Sequence, residues 1–203
     1  HPSSGAAPRW SPDGRRLYYA KPGYVRGAAV FNDIWMFDLE QGREIRLTRG
    51  LRAGDPDPSP DGGALVVVTG ARGRSRLAIL EIDRDRPTAK TSRLRALTEP
   101  DAQAGSRPRW SPDGRRIAFS ARVPSGGEEI RIVDRDGREI ARTGDGRSLN
   151  AGPAWSADGR LVSFSSDRTG IFNLLPWDPA SGEVVQISNV VGGAFSPAPA
   201  PDG

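Results

Sequence analysis

"PRWSPDGRRLYYA" occupies residues 8–20, and "RPRWSPDGRRIAFSA" returns at residues 107–121. With 18 Pro and 25 Gly in 203 residues, chance supplies only roughly 0.2 Pro-Asp-Gly triplets in a chain of this size. The chain holds four, ending at Gly14, Gly62, Gly114 and Gly203, and "WSADG" at Trp155 to Gly159 is an altered fifth copy. Internal repetition is therefore the property from which the fold follows.

Aligned, the copies read Pro-x-(Trp or Pro)-(Ser or Ala)-(Pro or Ala)-Asp-Gly, led by Pro8, Pro56, Pro108, Pro153 and Pro197. Their aspartates, Asp13, Asp61, Asp113, Asp158 and Asp202, stand 48, 52, 45 and 44 residues apart, a period that suits propeller blades. Ser-Pro-Asp-Gly is a tight turn: Pro presets φ, Asp tolerates the third position, and Gly accepts a positive φ at the exit. After each turn the apolar residues alternate (Leu17 and Tyr19, Leu65 and Val67, Ile117 and Phe119, Val162 and Phe164), which predicts a strand with one apolar face. A second hairpin follows in every copy. Its first strand ends on an acid (Asp38, Glu81, Asp134, Asp178) and its second closes on Thr48, Thr98, Thr143 or Ser188. Four strands joined by short local connections make one antiparallel blade. Gly and Pro together reach 43 residues, and no segment sustains a helical apolar period, so helices are not expected.

These motifs carry a resemblance. The chain is similar to the TolB-type, WD-like β-propeller repeats whose blades restart on "WSPDG", and the likeness covers essentially its whole length. The resemblance implies an all-β propeller of four-stranded antiparallel blades, read here as a single segment over 1–203. Its blades fall at about 8–48, 56–98, 108–143 and 153–188, and 194–203 start a fifth. Similar propellers have six blades, so the expectation is a piece of a longer ring, and of a larger bacterial envelope protein. The tail from "SDRTG" onward also resembles propellers of large envelope proteins that end in an outer-membrane barrel.

Composition narrows the chemistry. The net charge is +4, but the basic residues are almost all arginines spread over strand positions, which reads as a solvated face and not a phosphate-tracking patch; no nucleic-acid partner is expected. The longest purely apolar run, "ALVVV", is far below what spans a bilayer, so no direct membrane insertion by this segment is expected. Residues 1–8, "HPSSGAAP", show no charged and apolar leader. Zero Cys excludes disulfide and thiol chemistry.

Catalysis is not expected of these residues. A nucleophile needs an adjacent base, yet the one histidine is His1 and no Gly-x-Ser-x-Gly elbow occurs. Histidine clusters of metal-dependent lyases and the Ser-x-Asp-x-Gly-x-x-Trp boxes of sialidases are missing. Asp55, Asp57 and Asp61, and the pair Asp134 and Asp136, lack the spacing of a calcium-binding loop and read as turn builders. The catalytic, metal and cofactor assignments are therefore none.

Alternation of strand direction puts the Ser-Pro-Asp-Gly turns on one side of a blade and the irregular loops on the other, where binding residues sit on a rigid scaffold. Those loops hold eleven basic and nine acidic residues, a balance that favours a protein or peptide partner over a polyanion. The longest, "AKPGYVRGAAVFND" (20–33), offers Tyr24, Arg26, Val30 and Phe31 as candidate contacts. Arg168 in "SSDRTG" is a further candidate, read as an exposed turn residue. Trp10, Trp110 and Trp155 recur at one blade position and read as packing wedges. The resemblance thus points to a non-catalytic scaffold for protein binding in the periplasm or cell envelope. The alternative is a propeller gating access to a prolyl-oligopeptidase-like or tricorn-like serine peptidase domain outside this chain; sugar binding on the loops is a third reading.

Overall fold

The computed structural model describes residues 8–25, 29–71, 73–99 and 106–200, with the backbone alone described for Tyr24, Val25, Ala29, Val30 and Ala71. All regular structure among the described residues is β. The chain forms two compact units, His1–Ala102 and Gln103–Gly203. In the first, β1 (Arg9–Trp10), β2 (Arg16–Val25), β3 (Ala29–Asp38) and β4 (Arg43–Arg46) pair in chain order, as do β5 (Ala53–Pro58), β6 (Ala64–Ala71), β7 (Arg74–Glu81) and β8 (Arg93–Ala96). In the second, β9 (Ser106–Trp110), β10 (Arg116–Arg122), β11 (Glu128–Asp134) and β12 (Glu139–Thr143) make one sheet, and β13 (Asn150–Trp155), β14 (Val162–Ser166) and β15 (Asn173–Trp177) another. The latter gains a partial fourth strand: Val184 bridges Trp177, and the N–H groups of Val185 and Ile187 donate to the carbonyls of Pro176 and Leu174. Every strand pairing within these sheets is antiparallel and joins neighbours in sequence, so the chain is a β-propeller of antiparallel blades.

The repeated turn does more than reverse the chain. In the first copy the Ser11 hydroxyl donates to Asp13 Oδ1 (2.5 Å) and accepts from the Arg16 N–H (2.9 Å), while Asp13 Oδ1 also takes the Arg15 N–H. Ser59 with Asp61, Ser111 with Asp113 and Ser156 with Asp158 repeat this bonding, and Gly14, Gly62, Gly114 and Gly159 all take φ of 66–70°. Ser and Asp are thus partners across the turn.

This bonding makes the fold acid-sensitive. The Ser11 hydroxyl, then the Arg15 N–H, hold the Asp13 carboxyl below its usual range; Ser156 and the Arg160 N–H do the same for Asp158. For Asp113, desolvation pushes upward but is outweighed by Ser111, Arg115 and Arg116. A depressed folded pKa means that the stabilisation is present above the unfolded value of about 3.9 and is lost as pH falls through the folded value. The urea midpoint is therefore expected to be flat near neutrality and to drop below about pH 4. Asp13→Asn, Asp113→Asn and Asp158→Asn should each flatten part of that drop; an unchanged acid limb in all three would remove these turns as its source.

Blades pack face to face inside each unit. In the first, Tyr18, Ile34, Met36 and Leu47 meet Leu65, Val67, Ala78 and Leu80. In the second, Ala118, Ile130 and Ile132 meet Trp155, Val162, Phe164, Leu175 and Trp177. The expected single apolar face is too simple. Tyr18, Val66 and Ala118, on the opposite faces of their strands from the alternating set, are buried as well, while Leu17 and Tyr19 are half-buried. The wedge reading holds for Trp155, whose Nε1–H donates to the Arg109 carbonyl of the neighbouring blade (3.1 Å) with the Arg116 guanidinium 4.6 Å above its ring. Trp10 departs from it, at 56% exposure on a two-residue strand.

The inner strands share a bulge. Asp55, Arg107, Gly152 and Ser196, each directly before a repeat proline, have φ of 49°, 56°, 66° and 55°, and the ladder slips at β5, β9 and β13.

Candidate interaction surface

The stretch read as the longest irregular loop is largely strand. The β2–β3 ladder runs in register from Arg16↔Asp38 to Val25↔Ala29, whereas the hairpins of the later blades end after eight, seven and five pairs. The first blade therefore carries a longer ribbon at its loop end. Pro22 stands beyond the two residues of β2, Leu17 and Tyr18, that pair with β1, so among the described residues the N–H it lacks costs no ladder hydrogen bond.

A buried carboxylate braces the ribbon's base. Asp33 is fully buried and accepts from Arg46 Nη2 (2.5 Å), the Thr48 hydroxyl (2.7 Å), and the N–H groups of Gly50 (3.0 Å) and Leu51 (3.3 Å). Thr48 Oγ1 in turn accepts the Ile34 N–H, and Arg46 Nε donates to the Thr48 carbonyl. One side chain thereby ties β3, β4 and the link to the next blade. The pattern returns in the last sheet: Asn173 Oδ1 accepts from the Ser188 hydroxyl and the Val190 N–H, and Ser188 Oγ accepts the Leu174 N–H. Sequence reasoning picked out Thr48 and Ser188 as strand closers and missed Asp33 and Asn173. The available signal was their shared place five residues before the acids Asp38 and Asp178.

Gly23 belongs to this brace. A Cβ there would lie 3.0 Å from Arg46 Nη2 and 3.5 Å from Asp33 Oδ2, and Arg46 is pinned and cannot swing away. Gly23→Ala is expected to lower stability by about 1–3 kcal/mol through overpacking. Gly54→Ala, where a Cβ meets nothing within 4 Å, should leave the thermal midpoint unchanged or raise it. Equal shifts in the two variants would mean that the close approach is not maintained.

The candidate contacts are placed as follows. Phe31 is half-buried, with the Arg52 guanidinium 4.2 Å over its ring; Arg52, which sequence reasoning did not single out, adopts φ 50°. Tyr24 and Val30 are directly cross-paired in the ribbon, but their side chains lie outside the description, and Arg26 lies outside the described residues altogether. Phe31 and Arg52 thus form a stacked pair at the foot of the ribbon.

In the second unit Arg168 is not the exposed turn residue expected. It is half-buried: its Nε donates to Ser166 Oγ (3.2 Å), its Nη2 to Asn150 Oδ1 (3.3 Å), and its guanidinium lies 5.7 Å from the Phe164 ring centre. Asn150 Nδ2 donates to the Glu128 carbonyl (2.7 Å) and Asp167 Oδ1 accepts the Leu149 N–H (2.7 Å). Asp145 is held far below the usual carboxylate range, first by the Ser148 hydroxyl, then by the Ser148 and Arg147 N–H groups, with Arg168 adding to them. Among the described residues no group of three or more His, Cys, Asp or Glu side chains is placed to hold a metal ion, and no helix is long and apolar enough to cross a membrane.

No protein-family model matches the chain. It is 31% identical over 136 residues to an uncharacterized peptidase, YuxL, of Bacillus subtilis, covering 65% of this chain and 19% of that protein. It is 30% identical over 131 residues to the uncharacterized protein Atu1656 of Agrobacterium fabrum, covering 58% of this chain and 40% of that one. The chain thus spans less than half the length of either relative. Among solved structures, a TolB-designated protein of Agrobacterium tumefaciens superposes with a TM-score of 0.78 at 25% identity over the whole chain and 68% of its own length. A puromycin hydrolase shares the fold over 95% of this chain and 32% of its own, with a TM-score of 0.70 at 19% identity.

Proposed function

We propose that this TolB-like propeller segment is a non-catalytic scaffold that presents its loop-end residues to a protein or peptide partner in the bacterial periplasm or cell envelope. The observation that carries the reading is the likeness to the TolB-designated structure along the chain's whole length. The chemistry of the loop end is consistent with it: a stacked Phe31–Arg52 pair on a braced ribbon, and a half-buried Arg168 held by neutral groups. Aromatic and arginine side chains on rigid supports are the residues that anchor protein interfaces. Tyr24, Arg26 and Val30 belong to the same proposed contact set.

The matched region of YuxL and the puromycin hydrolase propeller favour a second reading, in which the blades screen peptides for a serine peptidase domain elsewhere in a longer chain. The two separate experimentally. A photo-crosslinking residue at exposed Asn32, beside Phe31, is expected to trap a discrete envelope protein in cells, and Phe31→Ala or Arg52→Ala should abolish that adduct. Adducts confined to the chain's own parent polypeptide, together with a Ser, Asp and His set on an α/β domain encoded alongside, would replace the scaffold by the gate.

A further inference from the structure

We infer that the loop end of the first unit receives an acidic peptide segment, held by Arg49, Arg52, Arg74 and Arg76 between the first blade's ribbon and the hairpin of β6 and β7. The inference rests on the protein-partner reading above and adds the charge of the segment that the partner presents.

The near balance of charge over all the loops conceals an uneven distribution. Seven of the eleven basic residues, but only three of the nine acids, fall in 20–33, 49–57 and 70–76. Those three acids are occupied within the fold: Asp33 is fully buried in its brace, buried Asp57 lies 3.6 Å from Arg9, and Asp55 is engaged as well. By contrast Arg49, Arg52 and Arg74 are exposed and Arg76 is half-buried. Among the described residues no carboxylate lies within ion-pair distance of any of the four.

The strands bring these arginines together. Arg49 and Arg52 bracket Gly50 and Leu51, whose N–H groups are fixed on Asp33, so the link that carries both is tied to the ribbon's base. Arg52 then turns at φ 50° and lays its guanidinium over Phe31. Thr69 pairs with Ala53 on one side and with Arg76 on the other, and a Cβ on neighbouring Gly70 would meet the Arg74 carbonyl at 3.8 Å and the Arg52 carbonyl at 4.0 Å. Arg74 and Arg76 share the face of β7 that carries Ala78 and Leu80. That face packs on the first blade, so beyond the core the two arginines stand on the ribbon's side of the hairpin.

Positive charges gathered without a counter-charge attract an anion, and guanidinium forks match carboxylates. The other loops hold six acids against four basic residues, which gives a nucleic-acid backbone nothing to track there and limits the ligand to a short acidic stretch.

The test is fluorescence anisotropy of the full chain with labelled hexaglutamate, against hexaglutamine and oligothymidylate carrying the same label. Hexaglutamate is expected to bind saturably with Kd of about 0.1 mM at low salt and about tenfold more weakly at about 0.2 M salt; hexaglutamine is not. Arg52→Gln and Arg74→Gln should each weaken binding about fivefold. Arg115→Gln, which removes an exposed charge from a Ser-Pro-Asp-Gly turn, should leave it unchanged. Arg74, exposed at a strand end, keeps the test valid if substitution of Arg52 disturbs its left-handed backbone. Binding of hexaglutamine, an equal loss at Arg115, or tighter binding of oligothymidylate through the same arginines would each overturn the inference. An adduct at Asn32 without hexaglutamate binding would overturn it and spare the partner reading, whereas hexaglutamate binding without any adduct would sustain the acidic site and remove that reading.

Discussion

Asp33→Ala is expected to lower unfolding free energy by about 3–5 kcal/mol, because it leaves the Arg46 charge half-buried without its partner. The Thr48 hydroxyl and the N–H groups of Gly50 and Leu51 lose an acceptor in the same step. Asp33→Asn should cost less. Asn173 shows that an amide oxygen can accept the hydroxyl and the link N–H at the equivalent place, so the variant forfeits mainly the ion pair. Urea unfolding near neutral pH measures both. A loss below about 1 kcal/mol for the alanine variant, the size of an ordinary exposed pair, would mean that the tie between β3, β4 and the link is not made in solution.

Trp155→Ala is the second large effect. The ring fills the interface between the two sheets of the second unit, and truncating a buried tryptophan costs about 3–5 kcal/mol. Trp155→Phe keeps most of the apolar contact and loses the Nε1–H bond to the Arg109 carbonyl and part of the Arg116 stacking, so a loss of about 1–2 kcal/mol is expected. Trp10→Ala supplies the contrast. Exposed at the same repeat position, it should stay within about 0.5 kcal/mol of the parent. Equal losses at Trp10 and Trp155 would mean that burial does not distinguish the copies.

The blade plan was legible because its code is local. Ser-Pro-Asp-Gly specifies a turn within four residues, and strands joined by such turns can hardly avoid pairing in order. Less legible was whatever depends on residues far apart in sequence. Asp33 and Thr48 are fifteen residues apart, and nothing in the neighbourhood of either names the other. Burial of both strand faces was missed because alternation reports one face only; the unbroken run "ALVVV" is where the sequence already said so. The ribbon was taken for a loop because Pro22 and Gly23 look like strand breakers. In place, the proline lies beyond the described β1–β2 pairs and the glycine makes room for Arg46. Of the candidate site, Phe31 and Arg168 were found by type and loop position. Their partners Arg52 and Asn150 were not, since stacking and side-chain acceptance leave no periodic trace.

The left-handed residue before each of the last four repeat prolines separates geometry from chemistry. The main chain there is fixed by its own bulge and by the ring that follows, while the side chain has been Asp, Arg, Gly and Ser in successive copies. Such a position behaves as a socket: the blade supplies a constant mount and the sequence chooses what is plugged into it. A chain built this way can change the character of its inner strands one blade at a time, without renegotiating the packing inside each unit.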